Sequence, residues 1–268
     1  MKLSVAVADT HALPDAFVVW RGFENSIRKA AQMGYDGVEL ALKHPDEVDP
    51  HKLSAWLDET GMAISCISTG QVYASLGLSF TDAEPNRRAE VRTVFKQIID
   101  LAARFGHLVN IGRIRGQIAP KGREEAEGLF IDMARELCTY AATQDVTLVL
   151  EPVNRYELDF VNSVEEGAAL RGKVGMDNLK LMPDVFHMNI EDVTIGGELA
   201  RYIDDIAYIH FADSNRRAPG WGHTDFRAIV EQLKGAGYTG WIAVEILPIP
   251  DPDGAARQAV RHLAPLLA

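Results

Sequence analysis

Eight short apolar segments that alternate with longer amphipathic segments predict a single parallel (β/α)8 barrel spanning residues 1–268. The apolar segments are rich in Val, Ile and Leu and show little period-2 alternation, which is typical of parallel strands covered on both faces. The length of 268 residues is close to the roughly 250 of such a barrel. A doubly wound sheet is the alternative, and the count of eight segments favours the barrel.

The predicted elements follow one another in regular order. Strands are expected at residues 3–7, 37–40, 63–67, 108–111, 147–150, 179–182, 206–211 and 241–244. Helical spacing is seen at Ile27, Ala30, Ala31 and Gly34, at Val91, Phe95, Ile98, Ile99 and Ala102, and at Leu129, Met133, Leu137 and Tyr140. Segments 69–85 and 212–224 exceed the usual loop length, so we expect both on the functional face of the barrel.

Composition narrows the class of protein. The net charge of −11 disfavours nucleic acid as a partner, because such a field repels phosphates. No run of about 18 uncharged apolar residues is present, so no membrane span is expected. The first residues look like a strand and not a signal peptide. Cys66 and Cys138, both in apolar segments, are expected to be buried free thiols of a cytoplasmic protein.

Four successive predicted strands, the fifth to the eighth, each end in a carboxylate or an imidazole. These residues are Glu151, Asp184, His210 and Glu245. In a barrel the four strand ends point at one pocket, where three carboxylates would repel one another unless a cation neutralised them. We therefore predict a divalent-metal site. Ligands that are mainly oxygen, with one nitrogen and no thiolate, suit Mn, Co or Mg. The alternative is four polar strand ends that face solvent.

Further polar residues lie next to these predicted ligands. His187 lies three residues beyond Asp184, Arg216 follows His210 in the seventh loop, and Glu157 shares a loop with Glu151. This placement favours a pocket role over a solvated surface role.

The same segments resemble the xylose-isomerase-like superfamily of TIM-barrel sugar isomerases and epimerases, and within it the ketose 3-epimerase and 5-keto-gluconate epimerase branch. The matching segments are 151–157 (EPVNRYE), 184–191 (DVFHMNIE) and 210–216 (HFADSNR), followed by Gly222 and His223. The resemblance implies that Glu151, Asp184, His210 and Glu245 bind one divalent metal ion. It further implies that Glu151 and Glu245 form the acid/base pair.

The resemblance also implies a substrate and an assembly. His187 and Arg216 would hold the oxygens near the carbonyl, and Glu157 would contact the end of the sugar. The partner would be a small-molecule sugar or keto-sugar acid, and the protein a homodimer or homotetramer.

The chemistry expected at this site begins with removal of a proton next to a carbonyl, which leaves an enediolate that a metal stabilises by several kcal/mol. Return of the proton to the other face gives epimerisation, whereas return to the adjacent carbon gives isomerisation. The residues alone do not choose between the two outcomes. The predicted enzyme is therefore a metal-dependent epimerase or isomerase of a ketose or keto-sugar acid.

Two arginines follow the fourth predicted strand and suggest an acidic substrate. Arg113 and Arg115 would suit a substrate carboxylate, because a guanidinium binds it through two hydrogen bonds. The alternative is that they pair with acidic loops of this negatively charged chain. At the end of the third strand, Cys66 is expected to line the pocket as a small apolar group.

Three other functions compete with this interpretation. A metal-dependent lyase, a decarboxylase or dehydratase acting on a keto-sugar acid, would use the same intermediate. An AP-endonuclease-like DNA repair enzyme would need extra histidines, which the third and fourth strand ends lack. A non-catalytic sugar-binding module would not need four ligands together with His187 and Arg216.

Overall fold

A computed structural model of the protein, which describes residues 1–14 and 16–268, confirms the predicted barrel. In this described part of the chain, the barrel strands are β1 (Lys2–Ala8), β2 (Gly37–Ala41), β3 (Ala63–Ser68), β4 (Leu108–Ile111), β5 (Thr147–Leu150), β6 (Leu179–Leu181), β7 (Tyr208–Phe211) and β8 (Trp241–Val244). A two-residue strand, Trp20–Arg21, pairs in parallel with the end of β1.

The strands are joined in the order β6-β5-β4-β3-β2-β1-β8-β7, and all their pairings are parallel. The two ends of this path meet through isolated parallel bridges, Leu181 with Ile206 and Asp184 with His210. At this seam the amide of His210 donates a 2.9 Å hydrogen bond to the carbonyl of Pro183. The closure of the barrel therefore brings two predicted metal ligands directly alongside each other.

Helices surround the strands. Those in the described residues are α1 (Phe23–Met33), α2 (Pro50–Thr60), α3 (Gly70–Leu76), α4 (Pro85–Ala102), α5 (Arg123–Ala142), α6 (Val164–Val174), α7 (Val185–Glu191), α8 (Ile195–Arg201), α9 (Phe226–Gly235) and α10 (Pro252–Leu267). Short 3-10 helices occur at Pro45–Glu47, Arg113–Arg115 and Ile203–Asp205. In this described part of the chain, no helix combines the length and the apolar character that a membrane span requires.

Several helices begin where a side chain accepts a hydrogen bond from a backbone amide of the first turn. Asp49, Ser163, Asp225 and Asp251 cap α2, α6, α9 and α10 in this way. Gly34, which the helical spacing had placed in the first helix, lies just past its end with a φ of 89°. It serves as the C-cap, because glycine adopts this left-handed conformation without strain.

The two long segments after strand ends differ from each other. Segment 69–85 is partly helical, because α3 occupies most of its first half. Segment 212–224 contains no described helix or strand. It is held together by the buried carboxylate of Asp213, which accepts hydrogen bonds from the amides of Ser214, Gly220 and Thr224 at 2.8, 2.8 and 3.1 Å.

Candidate functional site

The four predicted metal ligands come together at the carboxyl ends of the last four strands. Glu151 directly follows β5, Glu245 directly follows β8, and His210 lies in β7. Asp184 begins α7, where its Oδ1 accepts a 2.8 Å hydrogen bond from the amide of Phe186. Each residue offers a ligand atom within 4.8 Å of the other three. A single ion can therefore contact all four side chains.

Two buried atoms of this cluster lack a partner. Among the described residues, Asp184 Oδ2 and His210 Nδ1 have no hydrogen bond. Buried polar atoms are normally paired, so each unpaired atom needs an explanation. A cation between them would satisfy both, and the donor set of oxygens and one nitrogen fits Mn, Co or Mg.

The electrostatics of the cluster also favour a cation. Burial raises the pKa of Glu245 to about 8 and that of Asp184 to about 6, although His210 and Arg216 oppose both changes. Burial likewise disfavours ionisation of Glu151, but the proximity of His210, whose Nδ1 lies 3.6 Å from Glu151 Oε1, holds its pKa at about 2. At neutral pH the carboxyl of Glu245 therefore keeps its proton, because its surroundings do not neutralise the negative charge that ionisation would add to the cluster. A divalent ion would displace this proton.

The buried carboxylate of Glu39, which was not predicted from the sequence, contacts His210 on the ring nitrogen that faces away from the other ligands. Glu39, inside β2, lies 2.8 Å from His210 Nε2 through its Oε2 and is fully buried. If Nε2 donates its hydrogen to Glu39, Nδ1 presents a lone pair to the metal site. A charged residue in the middle of the apolar segment 37–41 was the available signal.

We expect Glu39→Gln to weaken manganese binding by about 10- to 100-fold, the range found when a partner behind a metal-binding histidine is lost. An amide accepts the Nε2 hydrogen less strongly than a carboxylate does. Calorimetric titration of the metal-free protein measures the change, and Glu90→Gln, on the exposed face of α4, is the matched control. Equal affinities in the two variants would show that Glu39 does not support the ligand.

Two buried asparagines, also missed, orient other residues of the site. Asn110 in β4 donates a 3.0 Å hydrogen bond to Glu151 Oε2. Asn154 Oδ1 accepts from the amide of Tyr156 at 3.0 Å, which directs its Nδ2 to His187 Nδ1 at 2.7 Å. Nδ1 of His187 therefore accepts a hydrogen bond, and the ring hydrogen resides on Nε2, which faces the pocket 3.3 Å from Arg216 Nη1. Because both of these nitrogens then carry hydrogens, they do not bond to each other, and both can donate to a shared acceptor.

His187 is a neutral hydrogen-bond donor in this setting. Burial and the nearby guanidinium of Arg216 lower the pKa of His187 well below its usual value. Its Nε2 lies 3.9 Å from Glu151 Oε1 and 3.7 Å from Asp184 Oδ2. A substrate oxygen near the metal ligands would thus be within reach of this N–H group.

Arg216 is the cation at the centre of the pocket. Its guanidinium contacts the carboxylate of Glu245 and lies 3.4 Å from Asp184 Oδ2. The rings of Phe17 and Phe186 flank it, with centroids 4.0 and 4.7 Å from Cζ. Cation–π contacts on two sides fix the plane of the guanidinium, so its hydrogen-bond directions are set before substrate binds.

The remaining predicted substrate contacts divide into two groups. The first group lines one cavity with residues of α3 and of the loop after β1. The side chains concerned are Glu157 and Arg113, beside Glu151, His187, Arg216 and Glu245. Glu157 Oε1 lies 3.9 Å from Arg216 and accepts a 3.3 Å hydrogen bond from Asn154. Arg115 and Cys66 do not line this cavity.

The prediction that Arg115 contacts the substrate is contradicted by its surroundings. The side chain is fully buried and donates hydrogen bonds to the carbonyls of Phe160, Gly112 and Val161 at 2.7, 2.9 and 3.0 Å. Val161 has a φ of 60°, a conformation that a β-branched residue rarely adopts. Arg115 therefore fixes the strained loop that follows Glu151, and it has no donor directed at the pocket.

We expect Arg115→Met to reduce the free energy of unfolding by about 3–5 kcal/mol, because three buried carbonyls each lose one hydrogen bond from a charged donor. At about 2–4 °C per kcal/mol for a chain of this size, the melting temperature falls by about 6–20 °C. Thermal unfolding measures the loss. The control is Arg201→Met, which removes an exposed arginine 3.6 Å from Glu198 and costs at most about 1 kcal/mol. Similar shifts in both variants would refute the structural role.

Cys66 also lies elsewhere than predicted. It is fully buried inside the barrel, where it packs with Val149, Met182, Tyr208 and Ala243. Ser68, two residues further along β3, lines the pocket instead. Two residues of a strand span about 6–7 Å, so Cys66 lies one layer below the site. Both Cys66 and Cys138 are buried free thiols, as predicted.

Comparison with known proteins adds the following. A family model described as "Xylose isomerase-like TIM barrel" matches residues 27–266. An L-ribulose 3-epimerase from Methylomonas sp. (strain DH-1) is 31% identical over 232 residues, covering 84% of this chain and 78% of the relative. A 3-dehydro-D-guloside 4-epimerase from Escherichia coli (strain K12) is 25% identical over 247 residues, covering 88% and 92%.

Solved structures agree in fold. The crystal structure of a D-allulose 3-epimerase from Methylomonas sp. in complex with D-allulose has a TM-score of 0.86 to this chain at 24% identity. The match covers 99% of this chain and 96% of that one. At this identity the likeness establishes the barrel and does not by itself identify a substrate.

Proposed function

Since the chain belongs to the xylose isomerase-like TIM-barrel family, we propose that it is a metal-dependent epimerase of a keto sugar that removes and returns a proton next to the carbonyl. One observation carries the proposal: two carboxylates, Glu151 and Glu245, enter one pocket from different strands and share a cluster with Asp184 and His210. The named relatives are epimerases. They favour this reaction over the lyase and DNA-repair alternatives.

Glu151, Asp184, His210 and Glu245 would hold the divalent ion. When bound, the ion would offset the negative charge that develops on the substrate oxygens, an effect worth several kcal/mol. Asp184 Oδ2 and His210 Nδ1, which have no hydrogen-bond partner among the described residues, are the atoms that most directly support such binding.

Glu151 and Glu245 would carry the proton. Glu151 follows β5 and Glu245 follows β8, three strands further around the barrel, so the two side chains approach a bound sugar from different sides. One carboxylate removes the proton from carbon, and the other, in its acid form, supplies a proton to the opposite face. Proton transfer by a positioned side chain contributes about 10²–10⁴-fold.

His187 and Arg216 would orient the substrate oxygens. The Nε2 hydrogen of His187 and the guanidinium of Arg216, held between two phenylalanine rings, both point into the space beside the carboxylates. Donors fixed before the reaction stabilise developing oxyanion charge without reorganisation. Glu157, near Arg216, would accept a hydroxyl hydrogen.

The test is incubation of the purified protein in D2O with manganese and a panel of ketoses and keto-hexonates. We expect solvent deuterium at the carbon next to the carbonyl of the reactive sugar, together with its epimer in the product. An aldose product would indicate isomerisation, and carbon dioxide or loss of a hydroxyl would indicate a lyase. Absence of deuterium from every sugar would overturn the proposal.

A further inference from the structure

Arg113 is a charged side chain of the pocket that has no role in the proposed reaction. Arg113 lies in the 3-10 helix Arg113–Arg115 after β4 and lines the same cavity as Glu151 and His187. Its guanidinium lies against the ring of Tyr73 of α3, with Cζ 5.8 Å from the centroid. The side chain is partly exposed, so a bound molecule can contact it.

The arginines near this cavity differ in how their charge is used. Arg216 contacts Glu245, and Arg115 is enclosed by three backbone carbonyls. Arg113, by contrast, has no carboxylate within 4 Å among residues 1–14 and 16–268. In a chain with a net charge of −11, an arginine that lines a pocket without such a partner suits an anion that arrives with the substrate.

Arg113 also lies close along the chain to a predicted metal ligand. A Cβ atom placed on Gly112 would lie 2.8 Å from Glu151 Oε2, so the backbone at Gly112 touches a predicted metal ligand. Arg113 is the next residue, about 3.8 Å further along the chain. Arg113 and Glu151 line the same cavity, so a molecule held beside Glu151 lies in the space that Arg113 borders.

We propose that Arg113 binds a carboxylate at the far end of the substrate, so that the substrate is a keto-sugar acid and not a neutral ketose. The inference rests on the proposed function, which assigns the chemistry at the carbonyl end of the substrate. A guanidinium can bind the two carboxylate oxygens through parallel N–H groups, whereas a terminal CH2OH offers only one oxygen. The contact with the ring of Tyr73 restricts where Arg113 presents them.

The experiment compares matched substrates. L-sorbose and 5-keto-D-gluconate differ only in that one terminal CH2OH is a carboxylate, and both are assayed by deuterium incorporation with manganese. We expect the wild-type protein to have a kcat/KM at least tenfold higher for the keto acid. In Arg113→Gln the ratio of the two kcat/KM values falls about 10- to 100-fold, the effect of losing a hydrogen bond to a charged group.

Two further variants separate the outcomes. Arg113→Lys keeps the positive charge but lacks the planar guanidinium, so the ratio of the two kcat/KM values should fall less than in Arg113→Gln. The control is Arg104→Gln, which changes an exposed arginine after α4 and should leave this ratio unchanged. Exchange with ketoses but not keto acids, or equal losses on both substrates in Arg113→Gln, overturns this inference and leaves the proposed function standing. Absence of exchange with every sugar overturns the proposed function itself.

Discussion

Glu151→Gln and Glu245→Gln are each expected to lower kcat for epimerisation by about 10²–10⁴-fold, because a carboxamide neither accepts nor supplies the proton. Each residue is also a predicted metal ligand, so the loss has two contributions. Asp184→Asn is the control, since it removes a ligand without removing a proton carrier. Saturating manganese should restore much of the activity of Asp184→Asn and little of the activity of either glutamine variant.

The two glutamine variants should also differ from each other. With one carboxylate intact, the protein can still exchange the proton of the epimer that this carboxylate faces, although it cannot complete the inversion. Deuterium incorporation measured separately on the two epimers should therefore survive for one epimer in Glu151→Gln and for the other in Glu245→Gln. Identical patterns in both variants would mean that one carboxylate is only a ligand.

Removal of the metal is the second change with a large expected effect. Dialysis against a chelator should abolish epimerase activity and lower the melting temperature, because the buried carboxylates then lose their cation. Metal at 1,000 times its Kd stabilises the folded state by about 4 kcal/mol. For a chain of this size that corresponds to about 8–16 °C. Readdition of Mn, Co or Mg, with activity and melting temperature measured for each, identifies the metal that fits.

Asp184→Asn again provides the control. Its melting temperature should respond much less to manganese than that of the wild type, because the unpaired Oδ2 is replaced by a neutral group. If the chelator changes neither activity nor melting temperature, the four side chains do not form a metal site.

Much of the fold was predictable because it depends on local pattern. Eight apolar segments without alternation require burial on both faces, and the strands found in the structure match them to within one or two residues. The differences lie at strand ends: β1, β2 and β3 extend slightly beyond the predicted residues, whereas Met182 and residues 206–207 fall outside β6 and β7. The missing residues of β6 and β7 are at the seam of the barrel, where isolated bridges replace a regular ladder.

The supporting residues of the site were not predictable in the same way. Glu39 and His210 are 171 positions apart in the chain, and Asn110 and Glu151 are 41 apart. Neither pair leaves a spacing signature. Glu39 meets His210 only across the closed barrel, and Asn110 meets Glu151 only because β4 and β5 pair in this register. The two arginines after β4 illustrate the same limit. In a 3-10 helix, successive residues are rotated by about 120°, so Arg113 reaches the pocket while Arg115, two positions later, points away.

The sequence by itself determined the barrel and the grouping of Glu151, Asp184, His210 and Glu245. Parallel strands must place their carboxyl ends at one mouth, so residues that end consecutive strands become neighbours whatever the details of packing. Tertiary structure decided the rest: the Glu39 carboxylate behind His210, the burial of Arg115 and Cys66, and the orientation of His187 by Asn154. Each of these depends on which side of an element a side chain faces and on the layer of the barrel it occupies. Closure of the barrel and packing of the side chains determine both the side and the layer.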